Sequence, residues 1–244
     1  MRRALIVGGA NGIGLSIATE LAKRIDYEKV YIVDCAEIQH NFYLDKFEYY
    51  QFNLMNTDFS FFGQFDDIDT LMITAGFGKL ALFKDLDEQY IENTLAVNTI
   101  AVMRILHYFY PKILGLDDFY CGVMVSIAGF MSSPFFSVYA ASKAALKIFI
   151  ESVNVELEKS GTTNRILNVS PGSISGTSFY SEKTDLSQTT NLALDIIRLL
   201  EEKKDLFIPQ YEEIFKNVLE RYHIDFREEG RHSYEFKLNS GRIK

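Results

Sequence analysis

Three residues in this chain have types and spacing suited to moving a proton: Ser126, Tyr139 and Lys143. They lie in the run VSIAGFMSSPFFSVYAASKAALK, with Tyr139 thirteen residues after Ser126 and Lys143 four residues further on. A spacing of four on a helix puts the phenol and the ammonium on one face. A free phenol ionises near pH ~10 and is a poor base at neutral pH. A nearby ammonium stabilises the phenolate and lowers that value. Tyr139 would then exchange a proton with a substrate oxygen, and Ser126 would hydrogen-bond the same oxygen. Each residue also has an ordinary reading: a packed helix tyrosine, a solvated lysine, a turn serine.

What decides between these readings lies far upstream. The run LIVGGANGIGLSIA places Gly8, Gly12 and Gly14, with Asn11 and Ile13 between them, at the passage from an apolar run into a helical pattern. Glycines there permit a tight turn and let backbone approach a pyrophosphate, and the helix N-terminus supplies free N–H groups and a positive dipole end. Asp34 follows Gly14 by twenty residues, at the end of the next apolar run. A carboxylate at that place accepts hydrogen bonds from ribose hydroxyls and repels a 2′-phosphate, so the expected cofactor is NAD rather than NADP. A solvated strand-end carboxylate is the alternative for Asp34.

The elements needed to position these residues are present in order. Apolar runs at Ala4–Val7 and Val30–Val33, and the stretches FEYYQFNL, TLMITAG, CGVMVSI and NRILNVSPG, read as strands. Helical spacing follows from Gly12 to Arg24, from Leu86 to Ile113 and from Ser137 to Glu158. The connection from Asp34 to Phe47 is too short for a full crossover helix. Strands alternating with helices imply an α/β fold, a doubly wound parallel sheet with helices on both faces. Two more helices are expected in LALDIIRLLEEKK and EEIFKNVLERY, with DLFIPQ between them as a candidate last strand. The end, about residues 225–244, is polar and without clear periodicity, and reads as a flexible or docking tail.

Together these motifs resemble the short-chain dehydrogenase/reductase family in its single-domain form. The resemblance runs from about Ala4 to Thr177 and rests on GGANGIG, on Thr74-Ala75-Gly76, on Asn98, on Ser126 with Tyr139-x-x-x-Lys143, and on Pro171-Gly172. It implies a single NAD(P)-binding Rossmann-type domain over residues 1–244. It also implies that Lys143 holds the nicotinamide ribose and that Asn98 serves a water-linked proton relay. Cofactor contacts are implied at Gly8, Asn11, Gly12, Ile13, Gly14, Asp34, Asn53, Leu54, Ala75, Gly76, Tyr139, Lys143, Pro171, Gly172 and Ile174. The chain departs from the family pattern in places. Val7 stands where a threonine is usual, and Ile73-Thr74 where two asparagines are usual, so side-chain bonds bracing the central strand are expected to be lost. Asn53 stands for an aspartate. Gly176 stands five residues past Pro171 where a threonine is usual, and Thr177 follows, which leaves a carboxamide contact open.

Composition bounds what else the chain can do. With 244 residues, 48% of them hydrophobic, it is long enough for a sizeable core. Its net charge of −8 gives no general attraction for nucleic acid or an anionic membrane. No apolar run is long enough for a signal-peptide core or an uncharged membrane span, and Cys35 and Cys121 have no metal-ligand spacing. No metal is expected, and a cytoplasmic location is. The expected activity is hydride transfer between a nicotinamide cofactor and a small alcohol or carbonyl compound. Phe77, Phe130, Phe179, Tyr180 and Lys183 are candidates to line the substrate site. The helices near 86–113 and 137–158 suit a homodimer or homotetramer. Two other readings stay open: a non-enzymatic NAD-sensing or scaffold protein with the same fold, and a nucleotide-sugar epimerase or dehydratase, for which the C-terminal region leaves little room.

Overall fold

Six residues at the start, Arg2–Val7, form strand β1, and its last four are fully buried. Their side chains alternate: Leu5 and Val7 enter one apolar core, Ala4 and Ile6 the other. A strand buried on both faces needs helices on both sides, which is why its sequence is continuously apolar. The computed structural model describes residues 1–177, 179, 184–241 and 243. It shows β2 (Tyr27–Asp34), β3 (Phe47–Gln51), β4 (Thr70–Ile73), β5 (Tyr120–Met124), β6 (Ile166–Val169) and β7 (Leu206–Phe207). All pair in parallel, in the order β3-β2-β1-β4-β5-β6-β7. DLFIPQ does supply the last strand.

Helices α1 (Gly12–Lys23) and α5 (Leu186–Glu201) cover one face. The other is covered by α3 (Val102–Leu114) and α4 (Ser137–Ser160), with an aromatic cluster of Phe52, Phe59, Phe62 and Phe65 beside them. Helix α2 (Glu88–Leu95) runs into α3 through a π-helical turn, Ala96–Ala101. Between β2 and β3 there is a single 3-10 turn, His40–Phe42, as the short connection requires. Helix α4 stops at Gly161, whose φ of 87° suits a residue without a Cβ.

The chain's end is helical, although its last stretch has no clear periodicity in sequence. A second π turn, Tyr211–Phe215, leads into α6 (Lys216–Ile224), and α7 (Phe226–Asn239) is a regular helix capped by Asp225, whose carboxylate accepts from Arg227 and Glu228 N–H. It meets the loop before α4 through Gly230, Tyr234 and Lys237, spaced four and three residues apart. These are residues that a hydropathy count does not see as a face. Among the described residues no helix is long and apolar enough to cross a membrane.

Candidate active site

The strand order reverses between β1 and β4, and in open parallel sheets that switch point leaves a crevice beyond the carboxyl ends of the strands. A cavity of about 490 Å³ lies there. It is lined from the loops after β1, β4, β5 and β6, and by Tyr139 and Lys143 of α4. The glycine loop forms its floor. Gly8 has φ 88°, and a Cβ on it would overlap the Ala75 backbone; a Cβ on Gly14 would overlap Gly8 O and Thr74 Oγ1. Helix α1 starts directly above, its N-cap Asn11 makes no side-chain cap, and its first turn carries no acid. The first-turn N–H groups and dipole therefore remain available to an anion. These features fit a dinucleotide pyrophosphate.

Asp34 is braced beside this loop. Its Oδ2 accepts the Ala10 N–H and its Oδ1 the Ala36 N–H, each at 3.0 Å. A carboxylate has about four acceptor sites, so capacity remains for hydroxyls. Asn53 is exposed and accepts the Met55 N–H at 2.9 Å, while the Leu54 side chain is buried in the core beside Phe52 and Phe59. The Ala75 N–H donates to Val7 O. Asp34, Asn53, Leu54, Ala75 and Asn98 are outside the cavity lining; Gly8, Asn11, Gly12, Ile13, Gly14, Gly76, Pro171, Gly172 and Ile174 are within it, with Ser126, Tyr139 and Lys143.

The three proton-transfer candidates converge. Lys143 is 2% exposed, donates to Met124 O at 2.8 Å, and stands 5.8 Å from the Tyr139 ring centroid. Burial pulls its ammonium down to about 8. The Tyr139 ring packs close against Gly78, where a Cβ would meet its Cδ2 at 2.8 Å. Ser126 closes the far side: its Oγ accepts the Ala128 N–H at 3.1 Å and reaches Pro171 O at 3.5 Å, linking the ends of β5 and β6. Asn98 sits in the π turn, fully buried. Its Oδ1 accepts the Phe77 N–H at 3.0 Å, and its Nδ2 donates to Phe77 O at 2.8 Å and Ser142 Oγ at 3.2 Å. A side chain engaged in this way fixes the loop after β4 and ties it to α4. π turns recur at functional sites.

A family model described as short chain dehydrogenase matches residues 2–187. The chain belongs to the short-chain dehydrogenase family. An oxidoreductase of Saccharomyces cerevisiae, described as uncharacterised, is 25% identical to this short-chain dehydrogenase over 213 residues, 80% of this chain and 66% of that one. Three further curated relatives are covered over 32%, 64% and 48% of their length, so the chain spans less than two thirds of these proteins. A short-chain dehydrogenase/reductase from Burkholderia phymatum, in complex with NAD, superposes with a TM-score of 0.76 at 15% identity, covering 93% of this chain and 94% of that one. One from Sphingobium yanoikuyae, in complex with NADPH, gives 0.73 at 19% identity, covering 92% and 96%. At these identities the likeness is one of fold.

Bracing of the central strand survives the departures from the family pattern, contrary to the sequence expectation. The Thr74 hydroxyl donates to Gly8 O at 2.8 Å, so the loop after β4 is still tied to the glycine loop. Thr177 is buried against Gly12 and lines the cavity, its Oγ1 donating to Ile174 O at 3.0 Å. Phe77 and Phe179 line the cavity; Phe130 does not, and its ring instead faces the Lys147 ammonium at 5.0 Å. Tyr180 and Lys183 lie outside the described residues. Sequence reading missed Ser133, Phe136 and Lys237, all in the lining. Ser133 and Phe136 flank a proline just ahead of Tyr139, a usable signal; Lys237 comes from the segment read as a tail.

Proposed function

We propose that this chain is a nicotinamide-dependent oxidoreductase that interconverts an alcohol and a carbonyl, with Tyr139 as its general acid and base. The observation that carries this reading is the shared cavity: Ser126, Tyr139 and Lys143 line the same space as the Gly8–Gly14 cradle. When bound, the nicotinamide supplies the hydride acceptor or donor. The residues supply the rest. Tyr139 takes the proton from the alcohol oxygen in one direction and returns it in the other. Ser126 hydrogen-bonds that oxygen, and the Lys143 ammonium holds the phenolate form. Asn98 is a positioning residue that keeps Phe77 and the loop after β4 in place. In Tyr139→Phe, kcat should fall by about 10²–10⁴-fold while NADH affinity, followed by fluorescence, stays unchanged. Turnover at the wild-type rate would overturn the role of Tyr139. NADH binding with no turnover across a broad carbonyl panel would favour a sensor instead.

The cofactor reading is NAD over NADP. It is supported by the Asp34 carboxylate beside the glycine loop, which a 2′-phosphate would have to approach. A side-by-side assay with NADH and NADPH tests it. For assembly, the reading is a homodimer formed through the face that α3 and α4 share, which exposes Ile100 and Ile148 around an apolar groove containing Met103, Tyr110, Phe149 and Val153. A reducing, cytoplasmic setting suits Cys35 and Cys121, both free thiols.

A further inference from the structure

Lys237 belongs to the last helix, yet its side chain lines the cavity that holds Ser126 and Tyr139. Its Nζ donates to Ser133 Oγ at 2.6 Å and to Pro134 O at 2.8 Å. Both partners are neutral, and an ammonium has a third N–H. The lining residues that are described include two lysines, Lys143 and Lys237, and no aspartate, glutamate or arginine. In a chain of net charge −8, this is a locally positive chamber. Lys143 stands beside the Tyr139 ring and serves the phenol in the proposed reaction, whereas Lys237 stands beside the Phe136 ring with one N–H beyond its two neutral partners.

The loop that receives Lys237 is built at a cost. Phe135 has φ 64°, a left-handed conformation that is rare for a bulky residue. Its ring rests on Tyr234 of α7, with centroids 4.6 Å apart, so the helix that carries Lys237 also holds the strained loop. The Lys237 Nζ stands 5.5 Å from the Phe136 ring, and that ring lies 5.2 Å from Tyr139. Lys237 is thus linked to Tyr139 through one ring, Phe136. Phe179 packs against both Phe136 and Tyr139, and with Phe77 in the lining these rings give the cavity apolar surface.

We infer that Lys237 is the substrate-binding cation of this cavity, and that the substrate carries a carboxylate on an apolar body, remote from the alcohol or carbonyl that Tyr139 serves. This deepens the oxidoreductase reading and rests on it. The carboxylate takes the third N–H, one aromatic ring away from the phenol. A single ammonium with no arginine beside it matches a monoanion better than a phosphate dianion. Burial without a counter-charge also pulls the Lys237 ammonium down to about 8, a cost that an anionic ligand offsets.

The test is calorimetry on the full chain loaded with NAD, using benzoylpropionate and benzoylbutyrate, whose carboxylates lie two and three methylenes from the ketone, each against its methyl ester. Wild type should bind the acids about tenfold or more tightly than the esters. Lys237→Met should lose that preference while keeping ester and NAD affinity, and Lys237→Arg should retain it. Lys237→Gln replaces the methionine variant if the latter unfolds, since its amide can still donate to Ser133 and Pro134. No preference in wild type, a preference that survives in Lys237→Met, or equal losses for acids and esters would each overturn the inference. The outcome is independent of turnover. Failure of the oxidoreductase reading would appear as absent NADH oxidation with the acid preference intact.

Discussion

Lys143 illustrates how a single buried charge shapes both stability and chemistry. Its ammonium ionises near 8 in the fold, against 10.5 when unburied. The folded state therefore binds this proton less well than the unfolded state does. Between about pH 8 and 10.5 the unfolded chain holds the extra proton, so this residue makes stability rise with pH across that window and lowers it below. Lys237, shifted the same way, adds to the rise. From pH 7 to 10.5 the urea midpoint of wild type should rise relative to that of Lys143→Met, against the opposite trend that the buried Cys121 thiol and the raised tyrosines impose on both; a constant difference would show that the buried ammonium is not the cause. That Ser126, Tyr139 and Lys143 would share a cavity with the glycines was legible in the sequence, because their spacings place them at strand ends and on one helix face. Thr74 was not, because the pattern showed only that two asparagines were missing, and that a hydroxyl in this place reaches Gly8 O is set by how closely the two loops pack. Lys237 was invisible because a long-range contact, 104 residues from Ser133, leaves no local trace.

At the scale of elements, helix α4, which carries Tyr139 and Lys143, must be held in register with the strands. Asn154 of α4 does this: its Oδ1 accepts the Ile166 N–H and its Nδ2 donates to Ile166 O, both at 2.9 Å. The amide thus occupies the hydrogen-bonding place of a neighbouring strand at the start of β6. Asn154→Ala leaves two buried backbone groups without partners and should cost about 1–3 kcal/mol in urea unfolding, while Asn154→Asp recovers only the acceptor half. Substrate affinity should move less than stability, because Tyr139 sits four turns away along α4. The strands were readable from sequence as continuous apolar runs, and the trimmed connection after Asp34 from its length. Helix α7 was not, since its contact face is made of glycine, tyrosine and lysine rather than aliphatic residues.

For the whole molecule, the layered plan follows from β1 alone, whose alternate side chains enter two cores. That a doubly wound sheet would form was therefore plain from the sequence, whereas where the last helices would lie was not. Charge is unevenly spread: the chain is acidic overall, yet the described cavity lining contains only cations among its charged groups. The proposed dimer leads to a test at this scale. Phe149 and Val153 line the groove between α3 and α4, so Phe149→Glu should convert the species seen by light scattering to a monomer and leave NAD affinity intact. A wild type that is monomeric at micromolar concentration would refute the dimer.

The π turn at Ala96–Ala101 also has a geometric consequence. Each residue of an α-helix advances its side chain by about 100°. Upstream, Tyr90 must face the loop after β4, where its hydroxyl accepts the Lys79 N–H at 2.7 Å. Downstream, Ile105, Leu106 and Phe109 must face the sheet. The wide turn resets the angular phase between these two demands and carries Asn98 at the point of the reset. Deleting one residue there would restore an unbroken α-helix and rotate one half against the other by about 100°. The helix would keep its grip on the core or its grip on the loop after β4, but not both.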